Sequence, residues 1–343
     1  MLYNIPKTRM LSAAQDSLSP DTKPRSIFIE SMIFLLIMLI CSVPQSFLLT
    51  AVALGIVFAD TSYHGLLANN IVGDEINTDA IIQYIDEKLA AGTSEILLTY
   101  LISSGFFILA AIIYCRAIEK RSLFSVGFSR RCAPLEYLLG IAVGAVMITV
   151  PVIICHATGC VTLSFNKEIS PAHIILFFIA FVIQGMGEEV IFRGYFLTTL
   201  CRRNNEWVAI ITSSLMFTLF HTSNQGFSFI AFINITLFGI FAAVFMLKRG
   251  SIWAVSAIHT AWNFMQGNIF GFSVSGMEKM PSILGATDQG FGSILSGGDF
   301  GIEGGLGATV VLLIALLSAL MMPAKKRELA PLDSSPEKET ITL

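Results

Sequence analysis

The stretch Gly185-Met186-Gly187-Glu188-Glu189-Val190-Ile191-Phe192-Arg193 places two carboxylates and a guanidinium inside an apolar run from about His173 to Leu200. A run of that length reads as a membrane-spanning helix. Each ionisable group costs roughly 2.5–3.5 kcal/mol at a helix centre on insertion scales, so such groups persist where they pair or face a polar cavity. Glu189 and Arg193 are four residues apart, share a helix face and can pair. Glu188 is turned about 100° away from Glu189 and is free to point into the bundle. The reading is one structural pair plus one carboxylate left for chemistry.

Three further polar residues sit in apolar surroundings. His221 closes the run Phe217-Thr218-Leu219-Phe220-His221, and His259 and Asn263 lie four apart in Ile258-His259-Thr260-Ala261-Trp262-Asn263. Counted from the basic ends of their spans, Glu188, His221 and His259 lie on the order of 12–22 Å deep, depths that allow them to meet near mid-membrane without requiring it. Singly, each has a bland reading. A buried His is often a hydrogen-bonded packing residue, Asn263 is often interhelical glue, and Glu189–Arg193 is a structural ion pair. Together they support hydrolysis. A carboxylate and a His activate water as general base, and a His with an Asn amide donates to a developing oxyanion. That combination suits an acyl bond attacked directly by water. No Ser stands in a GxSxG elbow and no HExxH is present. A Glu188, His221 and His259 site for a divalent metal such as zinc stays chemically open.

These residues need a scaffold in the bilayer. The chain is 54% hydrophobic and 13% charged, a composition that indicates a multi-pass membrane protein. The fold class expected is all-α, a polytopic helix bundle of about eight transmembrane helices. Spans are predicted at about 27–59 (one long helix interrupted by Pro44 and Gln45), 95–115, 135–157, the motif helix, 207–221, 227–247, 252–270 and 306–322. Residues 1–26 read as a disordered tail, 27–323 as the bundle, and 324–343 as a second tail. Within 60–94, Ile81, Ile82, Ile85 and Leu89 form a stripe at helical spacing, with Thr78 as N-cap and Gly92 as stop. Seventeen of the twenty-one Lys and Arg fall in the tails and in the loops after spans two, four and six. By the positive-inside rule both termini are cytoplasmic. Six cysteines lack metal or haem spacing. Cys155 and Cys160 flank one loop and have the option of bridging in an oxidising compartment, although free thiols are the plainer reading.

The series Glu188-Glu189-x-x-x-Arg193, Phe217-x-x-x-His221 and His259-x-x-x-Asn263 resembles, in order, the three motifs of the CPBP intramembrane proteases (CAAX protease and bacteriocin-processing, or Abi). This family includes the type II CAAX prenyl endopeptidases. The likeness covers roughly residues 170–270, with motifs at 185–263 in a core of about 134–323. Gly185-x-Gly187, Arg193-Gly194 and the glycine-rich stretch 297–305 are also similar to bacterial members. The resemblance implies peptide hydrolysis inside the bilayer of a bacterial plasma membrane. Glu188 and His221 would activate water, His259 and Asn263 would stabilise the oxyanion, and Glu189, held by Arg193, would orient the site with Phe217 in support. It implies no cofactor. The expected partners are a membrane-associated or lipidated peptide or protein substrate, the bilayer and a membrane-protein partner, with no nucleic acid. Two other classes fit the residues less well. A proton-coupled transporter would use Glu188, His221 and His259 as a relay, but no internal repeat relates the halves. A non-proteolytic scaffold or immunity protein would keep the fold and act by binding.

Overall fold

The computed structural model describes residues 5, 7–18, 25–59, 71–72, 75–76, 78–129, 133–290 and 293–323. Among them, five helices are long and apolar enough to cross a membrane: α2 (Ile27–Phe58), α4 (Thr93–Ile118), α5 (Ala133–Ala157), α6 (Pro171–Cys201) and α8 (Phe229–Arg249). They follow α1 (Arg9–Asp16) and alternate with the shorter α3 (Thr78–Ala91), α7 (Glu206–Leu219), α9 (Trp253–Phe264) and α10 (Leu306–Met321). The bundle is all-α, as the sequence predicts. The expected count of eight crossings is met by length and composition for five helices; α7, α9 and α10 fall on the remaining predicted spans but are shorter. The buried core joins all of these layers except α3.

The expected disordered tail is corrected in part. Helix α1 carries Met10, Leu11 and Ala14 fully buried. Thr8 caps its first turn, with Leu11 N–H donating to Thr8 Oγ1 at 3.3 Å. Gln15 Nε2 donates to the Cys201 carbonyl at 3.2 Å, tying the helix to the end of α6. An apolar stripe this short folds because it has a surface to cover. Lys23, Arg130, Arg131 and the tail 324–343 lie outside the described residues. All five cysteines among the described residues are buried free thiols, Cys155 and Cys160 included.

The basic ends of the helices meet at one end of the bundle. Glu119 pairs with Arg121 and Arg202, both at 2.7 Å, and Glu30 pairs with Arg203 at 3.2 Å. Arg121 also donates to the hydroxyls of Thr198 and Thr199. Burial pulls the pKa of Arg202 down from its ordinary value while Glu119 pushes it back up, so this is a desolvated ion network rather than solvated surface charge. Lys248 Nζ donates to the last carbonyls of α10, at Leu320 and at Met322, which fastens α8 to α10. At the opposite end a short antiparallel ladder that hydropathy does not reveal joins Val161–Phe165 to Leu284–Asp288. It staples the loop after α5 to the loop before α10.

Helix α9 is wedged between α5 and α6. Thr260 Oγ1 shares a hydrogen bond with Tyr137 Oη at 3.2 Å and donates to the Phe181 carbonyl at 3.2 Å. The approach of α9 to α6 depends on Gly185, where a Cβ would lie 2.7 Å from Thr260 Oγ1 and 2.9 Å from its backbone nitrogen. Gly187 does the same on the next face, where a Cβ would lie 2.6 Å from the carbonyl of Ser104 in α4. The two glycines of the motif therefore set the spacing of the motif helix to two neighbours. Gly185→Leu is expected to force α6 from α9 and cost about 1–3 kcal/mol by overpacking. A thermal-unfolding midpoint in detergent equal to wild type would count against this contact.

Candidate functional site

The motif helix changes character at the motif. After Glu189 its hydrogen bonding widens from i→i+4 to i→i+5 over Val190–Leu197, a distortion often found at functional sites. Glu189 and Arg193 straddle the start of this wide turn and still pair, with Arg193 Nη1 donating to Glu189 Oε1 at 3.1 Å. Their side chains are 0% and 1% exposed. The guanidinium carbon of Arg193 also sits 4.3 Å over the ring of Phe217, a cation–π contact in a desolvated setting. Phe217 thus faces Arg193 on one side and His221 on another, with ring centroids 4.6 Å apart.

His259 stands between the two glutamates. Its Nδ1 lies 2.8 Å from Glu189 Oε1, and its Nε2 lies 3.7 Å from Glu188 Oε2. A carboxylate accepts, so Nδ1 carries the proton and Nε2 is the nitrogen turned toward Glu188. Glu189 Oε1 accepts from both Arg193 and His259, which fixes the imidazole ring plane.

Glu188 is engaged on one oxygen only. Gln184 Nε2 donates to Glu188 Oε1 at 2.8 Å, and Gln184 Oε1 accepts from Asn263 Nδ2 at 3.0 Å. Among the described residues Glu188 Oε2 has no hydrogen-bond partner, although it is shielded from solvent. Gln184 is the site residue that sequence reasoning missed. Its signal was available, since a glutamine one helical turn before Glu188 in an apolar run is itself costly.

His221 lies just past the end of α7, which stops at Leu219 rather than running through residue 221 as predicted. Its Nδ1 is 2.8 Å from the carbonyl of Phe217. A carbonyl only accepts, so Nδ1 donates and Nε2 is left as the basic nitrogen of the neutral ring.

Glu188, His221, His259 and Asn263 line one cavity of about 80 Å³, together with Gln184 and Phe217. That is room for several waters. Tyr100, on α4, lines the cavity and is 47% exposed. Glu189 and Arg193 stand behind the wall. Ser275 and Glu303, from the long loop before α10, also line the cavity. Among the described residues no three His, Cys, Asp or Glu side chains converge as a metal-ligand group, and His259 Nδ1 is already taken by Glu189. The cavity wall offers a half-satisfied carboxylate, two imidazoles and an amide N–H₂ group.

A family model, type II CAAX prenyl endopeptidase Rce1-like, matches residues 170–265. The matched segment, under a third of the chain, holds all three motifs, so over that stretch the chain is similar to this family. No curated protein and no solved structure matches the chain.

Glu189→Gln would leave Arg193 buried with a weakened partner and His259 without its anionic acceptor. Breaking a buried pair in this way costs about 3–5 kcal/mol. The expected result is a clearly lowered unfolding midpoint in detergent; a normal midpoint would mean the pair does not stabilise the bundle.

Proposed function

We propose that the chain is an intramembrane endopeptidase that hydrolyses a peptide bond of a membrane-associated or lipidated peptide, using a glutamate-activated water. The observation that carries this reading is Glu188 Oε2, a carboxylate oxygen without a hydrogen-bond partner that faces His259 Nε2 across 3.7 Å in a cavity shared with His221 and Asn263.

In this mechanism a water binds to Glu188 Oε2. Glu188 takes its proton as the oxygen attacks the scissile carbonyl, with His221 Nε2 as the second base on the cavity wall. The tetrahedral oxyanion accepts from the second N–H of Asn263, whose first is held by Gln184, and from His259. His259 donates through Nε2–H while Glu189 Oε1 holds its Nδ1–H. The proton held by Glu188 then passes to the departing nitrogen as the carbon–nitrogen bond breaks. The products are a carboxylic acid and an amine, and the carboxylate returns to its starting form. Arg193 does not touch substrate; it holds Glu189, which holds His259. The basic end of the bundle is assigned to the cytoplasm, with both termini there.

Substrate enters beside Tyr100, which lines the cavity and is exposed on α4. A lipidated or membrane-embedded peptide is already concentrated at that depth. This is the physical reason to favour such substrates over soluble ones.

Purified protein in nanodiscs, offered a peptide library with prenylated, acylated and unmodified members, tests the reading. Wild type is expected to cleave, and Glu188→Ala to lose at least about 10³-fold in kcat/KM. A chelator is expected to leave wild type active. Cleavage that survives in Glu188→Ala would remove the mechanism; loss with chelator would move Glu188, His221 and His259 to a metal site. Gln184→Leu, which strips partners from both Glu188 and Asn263, is expected to lower kcat by about 10–100-fold with little change in KM. An unchanged kcat in that variant would show that the relay does not position the reacting groups.

A further inference from the structure

The hydrolytic site as described gives no role to the glycine-rich stretch 297–305. Its one carboxylate among buried surroundings, Glu303, is 5% exposed and lines the same cavity as Glu188. Both oxygens are fully engaged. Oε1 accepts from the Ser275 backbone N–H and from the Ser275 hydroxyl, each at 2.6 Å, and Oε2 accepts from Trp262 Nε1 at 3.0 Å. Burying a carboxylate is costly, and three donors on one group are what makes it stable there.

The backbone around Glu303 is clamped as well. Asn234, in α8, donates both amide hydrogens to the carbonyls of Glu303 and Gly305, at 2.7 and 2.9 Å. Its Oδ1 accepts from Thr309 at 2.7 Å. Gly301 adopts φ +102°, and a Cβ there would lie 2.0 Å from the carbonyl of Ser273, so only glycine fits. The Gly276 N–H donates to the Phe300 carbonyl at 3.0 Å. The loop is therefore packed onto segment 271–276, α8 and α9 at once.

Trp262 gives the carboxylate its significance. It precedes Asn263 directly and follows His259 by three residues on α9. Gln184 holds this turn of helix from the α6 side, through Asn263. Glu303 holds it from the loop side, through Trp262. We propose that Glu303 is a positioning residue of the site: its carboxylate latches the glycine-rich loop to Trp262 and Ser275, fixes the turn of α9 that presents His259 and Asn263, and roofs the cavity. The catalytic part of this proposal rests on the hydrolytic reading; the latch itself does not.

Glu303→Gln separates the links. The glutamine Oε1 still accepts from Ser275, but its amide N–H₂ meets the Trp262 N–H donor to donor, so the bond to α9 is lost. Trp262→Phe removes the same bond from the other side and serves if Glu303→Gln does not fold. In full-length protein in nanodiscs, either substitution is expected to lower kcat by about tenfold with KM within about twofold. Each is expected to raise amide hydrogen exchange across 259–266 by about tenfold or more. The double variant should be no worse than the worse single, because both remove one bond. Exchange unchanged in both singles would overturn the latch. Raised exchange with unchanged kcat, or a change in KM alone, would overturn the positioning role. If wild type cleaves no peptide, the hydrolytic reading fails separately, and the exchange comparison still decides whether Glu303 latches α9.

Discussion

The structure turns on keeping charge where water is scarce. Glu189 is completely buried in a predominantly apolar helix, and it is stable there because Arg193 and His259 both donate to one of its oxygens. That requirement reaches outward. Arg193 needs Phe217 over its face, which fixes α7 against α6. His259 needs α9 within hydrogen-bond distance of α6, which needs a glycine at 185. A buried pair of this kind contributes little net stability against an apolar alternative. Its value lies in specifying one arrangement of helices, the one in which His259 stands between two carboxylates.

The same economy shapes the cavity. Its polar groups are held in fixed directions by neighbours that take up their other hydrogen-bonding capacity. Gln184 spends both ends on Glu188 and Asn263, the Phe217 carbonyl fixes the tautomer of His221, and Glu189 fixes that of His259. What remains without a hydrogen bond among the described residues is Glu188 Oε2, the two Nε2 atoms and one amide hydrogen, on residues that line one cavity. Preorganised groups of this kind need no reorganisation when charge develops, which is why they suit attack by water on a carbonyl.

Far from the cavity the fold follows ordinary rules for membrane bundles. Small residues let helices approach and aromatic rings fill the wider seams, as where Phe34 of α2 stacks on Phe196 of α6 with centroids 4.3 Å apart. This contact anchors the first long helix, which lies outside the matched segment, directly on the motif helix. The ionic contacts at the basic end do the corresponding work there, and α1 folds because those elements present it with a surface.

Hydropathy, charge bias and spacing determined that this is a helical membrane protein. They located the long helices to within a few residues, and they singled out Glu188, Glu189, Arg193, His221, His259 and Asn263, because a polar group in an apolar run is expensive wherever the helix packs. The Glu189–Arg193 pair was legible too, since four-residue spacing is a local property. The tertiary structure alone decided the rest. Gln184 became part of the site only when α9 brought Asn263 to it. Glu303 gained a role only when a loop some forty residues away in sequence folded onto Trp262. The α1 helix and the ladder between Val161–Phe165 and Leu284–Asp288 depend on partners distant in the chain, and periodicity within a short window carries no information about them. Sequence prices a residue against the membrane; which partner meets that cost is a fact about helices side by side.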